Sequence, residues 1–324
     1  MSPAWLVMFG ALRAEEPAPE AAPRWEYTAQ GGAQVGASSF GIVTLGARRG
    51  PVSVTLFTDT LDVRYGPEWE RGRAWVGARA QFGGTAGMMM APWTDGAPDT
   101  SRARMAFYEG LDGGALRYLP GGLYAGGQVN ARLYQLSAQG MSVSDGVSQR
   151  RILSTDALVG LWRPQVQGYA RIGLDVSDVG LSPHATVDVH AEGPWRLAPV
   201  VELRAGIAES QDELNLSRLG GLNPYVVPLA GAAWAEWWVE DYAALRVGPR
   251  LTAGSFELAL MSDLAVFDGQ RAVGFAALGG WKKARRFVDL SVGYAPWIPR
   301  QDDVGRVSVY VLGGVDWGRR AAAP

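Results

Sequence analysis

The chain contains no cysteine, which excludes a disulfide framework, a thiol nucleophile and any cysteine-held zinc. It has only two histidines, His184 and His190, and only two lysines, Lys282 and Lys283. So little imidazole leaves few routes to histidine-based catalysis. Charge is sparse and nearly balanced, with 30 basic against 32 acidic residues among 324 and a formal net charge of −2. A nucleic-acid partner would require a basic face, so none is expected. No apolar run reaches the roughly 18 residues of a membrane-spanning helix. Neither a G-x-x-x-x-G-K-[ST] phosphate loop nor a G-x-S-x-G nucleophile elbow occurs.

What is abundant is glycine (43) and tryptophan (13), within a composition that is 48% hydrophobic. Glycine stands at about twice ordinary usage without a G-X-Y period, so the chain is not collagen-like. The hydrophobic content argues against global disorder. From Trp25 onward the dominant period is two. In Leu123 to Leu133 the odd positions are Leu, Ala, Gly, Val, Ala and Leu. The even positions are Tyr124, Gly126, Gln128, Asn130, Arg132 and Tyr134. Val166 to Val176 and Val307 to Trp317 alternate in the same way.

The segments are long for globular strands, which average about 5–6 residues. Strands of about 9–11 residues, apolar on one face and polar on the other, mark a transmembrane barrel. The polar faces carry Gly, Tyr, Gln, Arg and Asp rather than the Lys and Glu of a surface bathed in bulk water. Closure also pairs every backbone group, as lipid requires. The expected fold is all-β, a transmembrane antiparallel up-and-down β-barrel of about 16 strands. The expected location is a bacterial outer membrane.

Sixteen strands are expected: 25–36, 39–47, 52–64, 72–82, 85–92, 103–119, 123–136, 151–163, 166–176, 184–192, 197–209, 230–248, 256–267, 271–282, 286–296 and 306–317. The number is even, as in bacterial single-chain barrels. With both termini on the periplasmic side, the outward connections are 65–71, 93–102, 137–150, 177–183, 210–229 and 297–305, plus two short ones. The intervening turns are short and rich in Pro, Gly or Arg. Residues 1–14 read as a partial signal peptide, 15–24 as a Pro/Ala/Glu linker, 25–317 as the barrel and 318–324 as a tail.

The C-terminal third, about 210–317, carries three further features. RLGGLNPYVVPLAG (Arg218 to Gly231) precedes AEWWVEDY (Ala235 to Tyr242). FELALMSDLAVFDG (Phe256 to Gly269) is an aspartate-bearing strand. VGFAALGGW and RRFVDLSVGYAP form closing hairpins before a terminal aromatic strand. Together they resemble the end of the Omp85 or bacterial surface-antigen barrels, whose Arg-Gly-aromatic loop tip corresponds here to Asn223-Pro224-Tyr225. The resemblance implies a 16-stranded structural or translocation-type barrel. The alternatives are a passive, porin-like diffusion pore and a barrel-type lipid hydrolase.

Parity places His184, Thr186, Asp188 and His190 on one strand face. The two histidines stand about 20 Å apart along a strand, too far to ligate one metal. No catalytic residue, metal or cofactor is expected. Parity also sends Arg73, Arg79, Arg132, Arg171, Asp175, Asp188, Glu202, Arg204, Glu236, Glu240, Arg246, Glu257, Asp263, Asp289 and Asp316 into the lumen. Two readings stay open for this set: a charge-selective constriction and a structural ion-pair network.

Lipid-facing positions are Val129, Ala131, Leu133, Ile172, Leu174, Val307, Val309, Val311 and Trp317, and Gln128 and Ser308 are read as inward. The loop Ser210 to Pro228 is too apolar for an exposed one. It is expected to fold inward through Gly220, Gly221, Asn223, Pro224 and Tyr225, against Trp234, Trp238 and Tyr242. The competing reading makes 222–229 an extension of the strand that follows. The expected partners are outer-membrane lipids and, as cargo, small solutes or a translocated polypeptide. The expected state is a monomer.

Overall fold

The computed structural model describes residues 25–36, 40–58, 60–81, 88–90, 93–94, 97–98, 104–138, 148–209, 214, 216–222, 227–232, 236–299 and 307–317. Sixteen strands form the wall. They are β1 (Glu26–Gly36), β2 (Phe40–Arg49), β3 (Val52–Phe57), β4 (Thr60–Tyr65), β5 (Gly72–Gln81), β6 (Arg104–Tyr118), β7 (Leu123–Ala138) and β8 (Ser148–Arg163). They continue with β9 (Val166–Ser177), β10 (Gly180–Glu192), β11 (Leu197–Ala208), β12 (Tyr242–Ala253), β13 (Phe256–Phe267), β14 (Gln270–Lys283), β15 (Arg286–Trp297) and β16 (Val307–Trp317). Each pairs antiparallel with its chain neighbours, and β1 pairs with β16 from Tyr27↔Trp317 to Gly36↔Ser308. The sheet therefore closes and leaves no edge, the condition for a β-structure in lipid.

The expected count of about 16 holds, but two of the sixteen assignments were wrong in compensating ways. The expected strand 52–64 is a hairpin, β3 and β4, turning at Thr58 with φ 55°. Its outward residues switch from even (Val52, Val54, Leu56) to odd (Leu61, Val63, Tyr65), the phase flip of a two-residue turn. Thr58-Asp59-Thr60 lacks the glycine that marks most such turns, so the residue types do not announce the flip. Conversely, the expected strand 85–92 is not a separate stave. Met88–Met90 pairs with Arg104–Ala106 of β6, on the side that β5 occupies lower down. As a result, connection 66–71 lies on the rim that carries the termini, not on the opposite rim as expected. The strand expected at 230–248 is also corrected, because the wall resumes only at Tyr242.

Outward residues are large and apolar, with Ile172 66% and Leu111 63% exposed. Inward neighbours on the same strands are polar, such as Asp175 at 1%. A closed wall with this outer band is a membrane-spanning barrel. Val129, Ala131, Ile172, Val307 and Val311 lie exposed on the outer face, with Leu133, Leu174 and Val309 half-buried there. The side chain of Trp317 lies outside the described residues, as do 1–24 and 318–324.

Candidate functional site: the barrel lumen

The lumen divides into two sectors. From β3 to β11 the inner wall is ionic. Arg64 on β4 reaches both oxygens of Asp112 on β6 at 3.1 and 3.2 Å, and Trp75 on β5 donates its indole N–H to the same carboxylate at 3.1 Å. Arg79 donates to Asp62 at 2.8 and 2.6 Å. Arg73 lies 5.5 Å from the Trp75 ring centroid.

Further round, Asp156 on β8 accepts from Gln128 at 2.7 Å and lies 2.7 Å from His184 Nε2 on β10. His184 Nδ1 faces Asp175 at 3.6 Å. Asp156 and His184 are not on adjacent strands. Gly173 on β9 lies between them, and a Cβ there would collide with Asp156 Oδ1 and approach His184 Nε2 to 2.6 Å. The glycine is what lets the two side chains meet across a strand. Gly173→Ala should therefore part them and leave buried polar groups without partners, a cost of about 1–3 kcal/mol. Urea unfolding in lipid vesicles tests this against Gly279→Ala, where a Cβ would meet nothing within 4 Å. Equal midpoints for the two variants would refute it.

Arg132 donates to Ser154 at 2.7 Å and stands 3.8 Å from Asp175, and Arg171 donates to Thr186 at 3.2 Å. Arg204 pairs with Asp188 at 3.3 Å. Nearer the terminal rim, His190 sits between Glu202 (3.5 Å) and Glu192 (3.7 Å), one partner on each ring nitrogen. Glu192 also pairs with Arg250, which reaches Glu257 at 3.4 Å. Asp289 and Glu257 flank Gly280 from either side, and Asp316 lies half-buried on the inner face of β16.

The two histidines thus serve separate carboxylate clusters, and in each the ring nitrogens point to different acids rather than converging. Sequence reasoning missed Asp62, Arg64, Asp112, Asp156, Glu192 and Arg250. The first two were hidden by the merged β3–β4 hairpin. Asp156 was hidden because β8 carries apolar residues on both faces, Ile152 and Leu158 inward, Leu153 and Val159 outward.

From β12 to β15 the inner wall also carries a patch of small apolar residues, beside the charges Arg246, Arg250, Glu257, Asp263 and Asp289. The patch holds Ala244, Ala259, Ala265, Ala272, Ala276 and Ala295, all buried. The partner of this sector is the connection between β11 and β12. Its Ser217–Leu219 pairs with Trp237–Val239, and Leu219 and Gly221 bridge to Val227 and Leu229. Leu219, Leu229, Ala230, Ala232 and Val239 are at most 2% exposed and pack on that alanine wall.

Backbone N–H groups of the loop donate to three strands: Leu222 to Gln34 Oε1 (3.3 Å), Ala230 to Asp263 Oδ2 (2.8 Å) and Gly231 to Ser308 Oγ (3.1 Å). Ala230 sits against two wall glycines. A Cβ on Gly274 would come within 2.7 Å of its carbonyl oxygen, and one on Gly293 within 2.9 Å of its Cβ. Gly220, Gly221 and Gly231 adopt φ of 119°, 90° and 76°, which L side chains disfavour. Asp263 is shared, because Arg246 also forks onto it at 2.6 and 2.8 Å.

Gly220 and Gly221 are buried within this inward fold, while Asn223, Pro224, Tyr225 and Trp234 lie outside the described residues. Two expected lumen-wall charges are corrected. Glu236 is 1% exposed but belongs to the loop, and Glu240 is exposed at the bend before β12. Trp238 is likewise off the wall, with Arg218 over its ring at 3.5 Å. Continuous alternation through 230–248 concealed this, because a two-stranded ribbon inside the lumen has the same period as the wall.

No protein-family model matches the chain, and no curated protein matches its sequence. Solved structures do match in fold. CdiB from Acinetobacter baumannii superposes with a TM-score of 0.67 at 9% identity, over 90% of this chain and 60% of that one. BamA from Haemophilus ducreyi, lacking POTRA domains 1–3, gives 0.64 at 8% identity, over 92% and 71%. The chain thus spans about 60% of the length of CdiB. At these identities the likeness shows the fold alone, that of a bacterial outer-membrane β-barrel.

Proposed function

We propose that the protein is an outer-membrane translocation-type barrel whose lumen is closed at rest by the loop between β11 and β12. One observation carries this reading: the buried segment around Ala230, tied to β1, β13 and β16 and seated on Gly274 and Gly293. A passive pore has no need of a buried apolar segment tethered to its inner wall, and this one is held there by three strands. A lumen plugged by a chain segment instead suits a gate, opened when cargo offers the wall a competing set of contacts. The ionic sector supports the same reading. Its acids and bases are matched side by side along the wall, which braces the cylinder rather than presenting one sign of charge to a passing ion.

Single-channel recording in planar bilayers tests the proposal. The wild-type barrel is expected to be closed, or to open only in brief events. Deletion of 219–232, or Gly274→Leu, which fills the Ala230 seat, should give a steady conductance several times larger. A wild-type barrel that conducts steadily, unchanged by either variant, would make it an open pore and overturn the proposal.

A further inference from the structure

Among the described residues, the exposed charges of the two rims differ in sign. On the rim that holds the termini, exposed basic residues recur round the circumference: Arg49 on β2, Arg71 before β5, Arg117 on β6, Arg163 on β8, Arg196 before β11 and Arg286 on β15. Strand parity points Arg49, Arg117, Arg163 and Arg286 away from the lumen, on the same face as Leu45, Leu111, Val159 and Val288. The side chains of Arg71, Arg117, Arg196 and Arg286 have no acidic partner within ion-pair distance among the described residues. Only Glu68 and Glu70 oppose them on that outer rim among the described residues. On the far rim the exposed groups are mainly acids: Asp178, Glu209, Asp241 and Asp268, against Arg151 and Arg271.

Aromatic side chains accompany the basic belt. Trp25 lies 6.0 Å from the Arg49 guanidinium, and Trp69 and Trp195, 50% and 67% exposed, stand two residues and one residue from Arg71 and Arg196. Amphipathic rings of this kind mark the level where acyl chains meet headgroups. Long basic side chains starting from the apolar band reach that level by extending along the wall. The ordinary ligand there is a phosphate oxygen, which guanidinium binds through paired donors.

We infer that this belt is a headgroup-binding surface for anionic phospholipids in the leaflet on the terminal side of the barrel. The inference rests on the membrane-spanning reading of the fold. An acidic protein partner is a poorer fit. A docked protein would cover one sector, whereas these cations run from β2 to β15 and sit directly beneath the lipid-facing band.

The test uses the full chain reconstituted in phosphatidylcholine, with trace spin-labelled phosphatidylglycerol or phosphatidylcholine. Motionally restricted label shows that the barrel spans the bilayer, and the ratio between the two labels measures selectivity. The restricted fraction should favour phosphatidylglycerol by roughly fivefold, the ratio that one basic group near an anionic surface sustains. One molar salt should lower it towards unity. R71Q/R117Q/R196Q/R286Q should lower the preference by at least half, while D178N/E209Q/D241N/D268N on the far rim should leave it intact. All six positions of the belt are exposed, and the wild-type salt titration stands even if a variant fails to assemble. Restricted lipid without headgroup preference, or a preference undiminished in the fourfold belt variant, would overturn the inference while leaving the membrane-spanning fold in place. Absence of restricted lipid altogether would instead refute the membrane-spanning fold.

Discussion

Asp263→Ala is expected to be the most damaging single substitution inside the barrel. The carboxylate is 2% exposed and serves two partners, the Arg246 guanidinium from the neighbouring strand and the Ala230 N–H from the inward loop. Its removal leaves a buried guanidinium without its closest anion and a buried loop amide without an acceptor. Breaking a buried pair from one side costs about 3–5 kcal/mol, and the orphaned amide adds to this. Urea unfolding in vesicles should therefore show a large loss of stability, and bilayer recordings should show frequent opening as the loop loses a tether.

The double variant Arg246→Ala/Asp263→Ala should lose less than the sum of the two single variants, because no lone charge remains. Double-mutant cycles resolve such coupling when it exceeds about 0.5 kcal/mol. Strict additivity, or a stability within 1 kcal/mol of wild type for Asp263→Ala, would show that the shared carboxylate does not hold the loop to the wall.

Arginine substitutions should separate the two faces of the wall by a similarly large margin. Ile172 and Leu260 are 66% and 57% exposed on the outer surface, near the middle of β9 and β13. Arginine at either should cost about 2–4 kcal/mol in a bilayer and slow assembly. Gln128 faces the lumen and donates to Asp156 at 2.7 Å. Arginine there keeps a donor for that carboxylate and should be tolerated within about 1 kcal/mol.

Ser308 also faces inward, as its parity implies, but its surroundings make arginine costly there. Ser308 is fully buried beneath the loop and accepts from Gly231. Ser308→Arg would expel the segment it supports, so it should behave like the outward variants. The comparison is made by refolding yield into vesicles, read as the heat-modifiable gel band. Equal yields at Ile172, Leu260 and Gln128 would contradict the assignment of faces.

Much of this was legible in the residues themselves. Alternation with period two, carried over segments of ten or more residues, determined strands, their faces and the antiparallel order. The scarcity of lysine and the Gly, Tyr and Arg of the inner faces distinguished a lumen from a surface in bulk water. The glycine pair and the apolar tail of 210–228 marked an unusual loop. These features are local, since a strand's two faces repeat every second residue whatever it pairs with.

What the sequence could not settle was which strands form the wall. The merged β3–β4 hairpin, Met88–Met90 and the ribbon Trp237–Val239 all carry a strand's period, yet only β3 and β4 prove to be separate staves. Nor could spacing show that Asp156 meets His184 across Gly173, or that Ala230 rests on Gly274 and Gly293. Those contacts join residues on strands that are not neighbours, or a loop to strands it does not adjoin in the chain. They exist only once the sheet has closed and its curvature brings inward side chains together, so only the tertiary structure could decide them.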